Sequence, residues 1–208
     1  RFTGGLFMEG CTGYHVEDNY FLGEISPMAS TSPAIGIGVK NSGLDNNEIY
    51  NNRFQKVNIG IISMGVNRGK NSGLCLKCND MRSNINDFVV INQNDPPLGT
   101  YQGINRYQGN PVDSISFDAP AGNVFSNDLS TSDSLLIKNY NYYNSAEDIY
   151  YTHHRQIDIQ VRPMDNHYTS STIELNGWTT LQYVKATACP SGLGGSGGLK
   201  SYSSQRLT

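Results

Sequence analysis

Along this chain, apolar and polar residues alternate in short bursts that break off at asparagine. NEIYNNRF at residues 47–54 shows the figure, with Ile49 followed by Asn52 and then Phe54. It occurs again in YHVEDNYF at 14–21 and in LCLKCNDM at 74–81. Laid over one another, Val16, Ile49 and Leu76 align, then Asn19, Asn52 and Asn79, then Phe21, Phe54 and Met81. Leu74, Leu76 and Cys78 fall at every second position, which is strand period rather than helix period. A further apolar burst follows each corner, at Ile35–Val39, Val57–Ile61 and Phe88–Ile91.

The aligned asparagines are 33 and 27 residues apart. Periods of roughly 20–50 residues mark stacked repeats, in which each unit buries its apolar face against its neighbours. Two or three short strands per unit, with asparagine at a corner, predict an all-β protein built as a right-handed parallel β-helix, a solenoid. In such a stack Asn19, Asn52 and Asn79 form a ladder along one edge, bonding to the backbone of adjacent coils, and Val16, Ile49 and Leu76 point inside. Asn tolerates left-handed backbone angles, so Asn52 is expected to turn the corner and Phe54 to return the chain to the core. A generic β-sandwich with Asn-rich turns is the competing reading.

The coils are expected over residues 1–95. The text at 96–122 is rich in Pro, Gly and Gln and reads as a loop-rich excursion. Strand-like text resumes at Asn123-Val-Phe125, so 123–186 is read as a β-rich continuation of the solenoid, and 187–208 as a linker-like Gly/Ser tail. Composition agrees: the 22 Gly and 13 Tyr suit turns and strands better than helices. Charged residues make up 16% and the net charge is −3, which argues against a nucleic-acid partner. No apolar run approaches the length of a membrane span. Beginning at Arg1 and ending in SYSSQRLT, the sequence reads as a processed product or a piece of a longer protein.

Chemistry is sparse. His153 and His154 are adjacent, so on a strand they face opposite ways and do not share an ion; with His167 they are expected at the surface. Asp80, Arg82 and Asp87 are the nearest approach to the paired carboxylates of a polysaccharide-cleaving site, and a solvated corner and loop is the plainer reading. NYNYYNSAEDIYY at 139–151 offers aromatic rings for sugars or for packing, with Tyr140 and Tyr142 on one face and Tyr143 on the other. GLGGSGG lacks the Lys of a phosphate loop. No catalytic residue, metal ligand or cofactor is assigned.

INRYQGNPVDSISFDAPAGNVFSN and KATACPSGLGG, following GLCLKCNDM, resemble the β-helix portions of very large secreted, adhesin-like surface proteins of gliding and related bacteria. The resemblance runs from about residue 47 to 197. It implies export through the type IX secretion system, with the secretion machinery, the remainder of a parent protein and surface glycans as partners, and a location outside the cell or on its surface. It implies a non-enzymatic structural or adhesive role; a glycan-binding or polysaccharide-degrading β-helix is the alternative. Bacteria of this group attach O-glycans at Asp-Ser/Thr followed by a small or aliphatic residue, which marks Ser114 and Ser134. An extracellular product permits disulfides, and four cysteines allow three full pairings. Cys78 continues the inward alternation, so it is expected to be a buried, unpaired thiol; Cys75 and Cys189 are the expected pair.

Overall fold

The computed structural model describes residues 3–24, 33–94, 100–109, 120–126, 140–153, 163, 166–168, 173–177 and 189. The chain lays down strands in successive rungs. The first rung contributes β1 (Thr3–Glu9), β2 (His15–Glu17) and β3 (Tyr20–Leu22). The second contributes β4 (Ala34–Lys40), β5 (Asn47–Tyr50) and β6 (Arg53–Gln55). The third contributes β7 (Ile59–Met64), β8 (Leu74–Lys77) and β9 (Asp80–Arg82). Then follow β10 (Asn86–Ile91), β11 (Tyr107–Gln108), β12 (Tyr140–Asn144), β13 (Ile149–His153), β14 (Asn166–Tyr168) and β15 (Ile173–Gly177).

Among the described residues, the strands pair in parallel with their counterparts in the neighbouring rung and not with their immediate successors. One sheet runs β1-β4-β7-β10-β12-β14, and shorter ones run β2-β5-β8, β3-β6-β9 and β11-β13-β15. Register is kept throughout: Val16 pairs with Ile49 and Ile49 with Leu76, while Phe21 pairs with Phe54 and Phe54 with Met81. Val124 extends the third sheet by a parallel bridge to Asp80. The segment 96–122, expected as a loop-rich excursion, includes the two-residue β11, which pairs with β13. The described chain is therefore all-β, with its strands parallel.

The corners explain the asparagines. Ahead of each aligned Asn stands a residue of positive φ: Asp18 (58°), Asn51 (53°), Cys78 (59°) and Gly122 (71°). Left-handed backbone costs a non-Gly residue on the order of 1 kcal/mol, least for Asn and Asp. The left-handed residue at the second corner is thus Asn51, whereas the expectation assigned the corner to Asn52. The other corners repeat the device, with Gly10, Asn41 and Gly65 in one column and Lys56 and Ser83 in another.

Inside the stack lie Ile37, Ile49, Phe54, Leu76, Phe88 and Tyr142, all essentially without exposure. Phe21 and Phe54 stack face to face at 4.9 Å, while Phe88, Phe125, Tyr142 and Tyr151 meet edge to face at 5.1–5.7 Å. Strict alternation fails at one place in each of β4, β7, β10 and β12. A Cβ on Gly36 would strike the Phe54 ring and one on Gly60 would come within 2.9 Å of the Met81 sulfur, so both positions face inward beside the equally inward Ile37 and Ile61. Asp87 and Asn141 take the same place ahead of Phe88 and Tyr142. This break corrects the tyrosine assignment: Tyr140 lies against Tyr143, 5.9 Å apart, and not on the side of the buried Tyr142.

Candidate functional site

Three groupings of side chains stand out, and the first is the asparagine column. Asn19 donates its main-chain N–H and its Nδ2–H to Oδ1 of Asn52, both at 3.0 Å. Asn52 does the same to Asn79 at 3.1 and 3.2 Å, and Asn79 to Asn123 at 2.9 and 3.1 Å. Asn123 was missed as a member of the column, although Asn123-Val-Phe125 carries its signature; the 44-residue offset hides the period. Each Nδ2 also reaches a main-chain carbonyl, as from Asn79 to Ile49 and from Asn123 to Leu76. Asn52, Asn79 and Asn123 are buried, and each amide satisfies polar main-chain groups of the neighbouring rungs. The neighbouring corners use the same chemistry, with Asn67 accepting from Ser42 and Asn84 from Val57.

The second grouping is a disulfide that corrects the cysteine expectation. Cys78 is bonded to Cys189 across 111 residues, with Cα atoms 5.6 Å apart; Cys75 is free, as is the exposed Cys11. The reason is the corner. Cys75 sits within β8 on the outer face, paired in register with Glu48, where burial pushes its thiol pKa up. Cys78 sits at the left-handed corner beside Gly122 of the next rung. A Cβ on Gly122 would lie 2.5 Å from the Cys189 sulfur, so only glycine leaves room for the bridge. Alternation alone could not show this, because the partner arrives from a distant segment. Disulfides persist in oxidising compartments, which points away from the cytosol.

The third grouping is the outer surface. On β3-β6-β9 the Arg53 guanidinium lies 5.3 Å over the Tyr20 ring, and the Tyr20 hydroxyl donates to Gln55 at 2.7 Å. Asp80 is held by Arg82 at 2.7 Å and flanked by Arg53 at 4.0 Å. Tyr20 and Leu22 are 55% and 64% exposed, so both side chains face solvent. On β2-β5-β8, His15 bridges Glu17 at 3.0 Å and Glu48 at 3.1 Å, and Lys77 approaches Glu48 at 3.5 Å. Farther along, Tyr107 stacks on Tyr150 at 5.5 Å under the Arg106 guanidinium.

Asp80 and Asp87 do not converge. Asp80 is on the outside of β9, opposite the inward Met81, whereas Asp87 is fully buried on the core side of β10. The plainer expectation of a solvated corner and loop is thus corrected for Asp87. Its carboxylate accepts from Asn84 at 3.2 Å, the Ser126 N–H at 2.8 Å and Asn141 at 3.0 Å. Burial still outweighs these donors and pushes its pKa up to about 6. His153, expected at the surface, is buried because it shares the inward alternation of Ile149 and Tyr151 on β13. Among the described residues no cluster of three His, Cys, Asp or Glu side chains is arranged to hold a metal ion. Ser114, Ser134 and His154 lie outside the described residues.

These features define an all-β protein of stacked parallel strands with one internal disulfide. Compared with family models, curated proteins and solved structures, the chain matches none.

Proposed function

We propose that the chain forms successive coils of a right-handed parallel β-helix and serves as a rigid, non-enzymatic structural or adhesive segment of a large secreted cell-surface protein. The observation that carries the reading is the asparagine column, which keeps one direction and one register from Asn19 to Asn123. A side-chain ladder of that kind supports uniaxial stacking. The hand follows from the strong preference of parallel crossovers for a right-handed turn. Export and an extracellular or cell-surface location are supported by the disulfide and by the resemblance to secreted surface proteins, whose secretion machinery would be a partner.

The opposed placement of Asp80 and Asp87 supports scaffold over hydrolase or lyase. The test is incubation of the purified chain with acidic and neutral polysaccharides. No new chain ends should appear; cleavage that Asp80→Asn or Asp87→Asn abolishes would overturn the reading. Labelling of intact cells of the native host with an antibody to the chain should mark their surface.

A glycan-binding role is the second reading, favoured by the exposed Tyr20 beside Arg53 and by the stacked Tyr107 and Tyr150. Retention on immobilised glycans that Tyr20→Ala or Tyr107→Ala removes would establish it. O-glycosylation at Ser114 and Ser134 belongs to the same proposal. Intact mass of material from the native host should exceed that of the bare chain, and unmodified serines there would end the idea.

A further inference from the structure

We infer that the face presented by β1, β2 and β3 is a docking surface for one further coil of the same kind, lying upstream in the same polypeptide. The inference rests on the β-helix reading above and names the neighbour which that reading requires. Three observations carry it.

The first is the polarity of the column. At each step the rung nearer the N-terminus donates two hydrogens, and Oδ1 of the next Asn accepts both. Oδ1 of Asn52, Asn79 and Asn123 is filled in this way. Among the described residues no donor reaches Oδ1 of Asn19, so the terminal rung presents an acceptor shaped for an asparagine preceding it.

The second observation is the open cross-section of the core. Leu6, Met8, Val16 and Phe21 are only partly buried, although they are the register partners of Ile37, Val39, Ile49 and Phe54, each with no exposure at all. The residue types are equally apolar; among the described residues the first rung has a neighbouring layer on one side only.

The third is the main chain. Among the described residues, β1, β2 and β3 are the outermost strands of their sheets and pair on one side only, so about half of their N–H and C=O groups face away from the stack. Unpaired strand edges recruit further strands, and stacked repeats need a cap or a neighbour at each end. The interface on offer is the one this chain makes twice between its first three rungs, so a parallel coil bearing Asn and then an aromatic or Met residue fits it.

The test extends the full chain by one coil. A copy of residues 34–57 is joined ahead of Thr3, which the register equates with Ala34. The copied Asn52 would then donate to Asn19. Hydrogen exchange of β1–β3 amides in the extended chain should slow by about tenfold or more, approaching that of β4–β6. Asn19→Ala should erase much of that protection in the extended chain while scarcely changing exchange of β1–β3 in the original one. Fast β1–β3 exchange in an extended chain whose β4–β9 amides remain protected would overturn the docking surface alone. Absence of protection throughout β4–β9 in the original chain would sink the β-helix reading itself. Protection of β1–β3 that rises with concentration in the original chain would assign the face to a second copy and overturn the upstream coil.

Discussion

Asn79 stands between two rungs, accepting both donors of Asn52 on Oδ1 and giving both of its own to Asn123. Truncation to Ala would orphan buried groups on both sides, including the Ile49 carbonyl. Asn79→Ala should therefore cost about 2–4 kcal/mol in urea unfolding, because unsatisfied buried polar groups cost roughly 1–3 kcal/mol each and partly relax. Asn19→Ala, at the exposed end of the column, should cost less than about 1 kcal/mol. Equal losses at the two positions would contradict the burial gradient along the stack.

The disulfide yields a thiol count. In native oxidised protein, Cys11 should react at once with a thiol reagent and Cys75 only slowly, since burial raises its pKa and shields it. Four reactive thiols would reject the Cys78–Cys189 bridge. Its reduction, which frees a 111-residue connection, should lower stability by about 2–5 kcal/mol. Gly122→Ala should mimic reduction, because the new Cβ occupies the space of the Cys189 sulfur.

Asp87 makes stability depend on pH in the direction opposite to a salt-bridged carboxylate. Its folded pKa, pushed up to about 6, lies above the ordinary value of 3.8, so the native state holds the proton more tightly than the unfolded chain. The contribution is present in full below the unfolded value and is lost as pH rises through the folded one. Each unit of difference is worth roughly 1.4 kcal/mol. Between pH 4 and pH 6 the wild type should therefore lose stability relative to Asp87→Asn as pH increases. Parallel pH profiles for the two proteins would show that Asp87 does not titrate in the core.

His15 gives a second, weaker dependence. The Glu48 hydrogen bond and the nearby Glu17 hold its pKa above the ordinary 6.5. Burial would raise the Glu48 pKa, but His15 and Lys77 outweigh it and the net direction is down. The stabilising charge on His15 is complete below the unfolded value and disappears as pH rises through the folded one. An NMR titration of the His15 ring should show the elevated pKa, and Glu48→Gln should bring it down. A ring that titrates at or below the ordinary value would break the proposed bridge between the first two rungs. As a partly exposed pair, its worth is about 1 kcal/mol or less.

Some of this architecture was written in local text. The alternation of Leu74 and Leu76, the Asn-x-Phe corner and its return at 19, 52 and 79 depend only on strand period and turn chemistry, both properties of neighbouring residues. They sufficed to align Val16 with Ile49 and Leu76, and Asn19 with Asn52 and Asn79, as the register has them. Asn123 carried the same signal at an irregular offset and was legible in principle.

What sequence left open involves parts of the chain that meet only after folding. Which cysteine bonds Cys189 depends on a vacancy above Gly122, a residue 67 positions before Cys189 in the chain. The pairing of Gly36 with Phe54, and of Gly60 with Met81, turns two consecutive residues inward and defeats an alternation count, because ring volume on one strand is accommodated by missing volume on another. The burial of Asp87 was hidden for the same cause: its donors Asn84, Ser126 and Asn141 converge from separate rungs, and the sequence shows the carboxylate without the wall that closes over it.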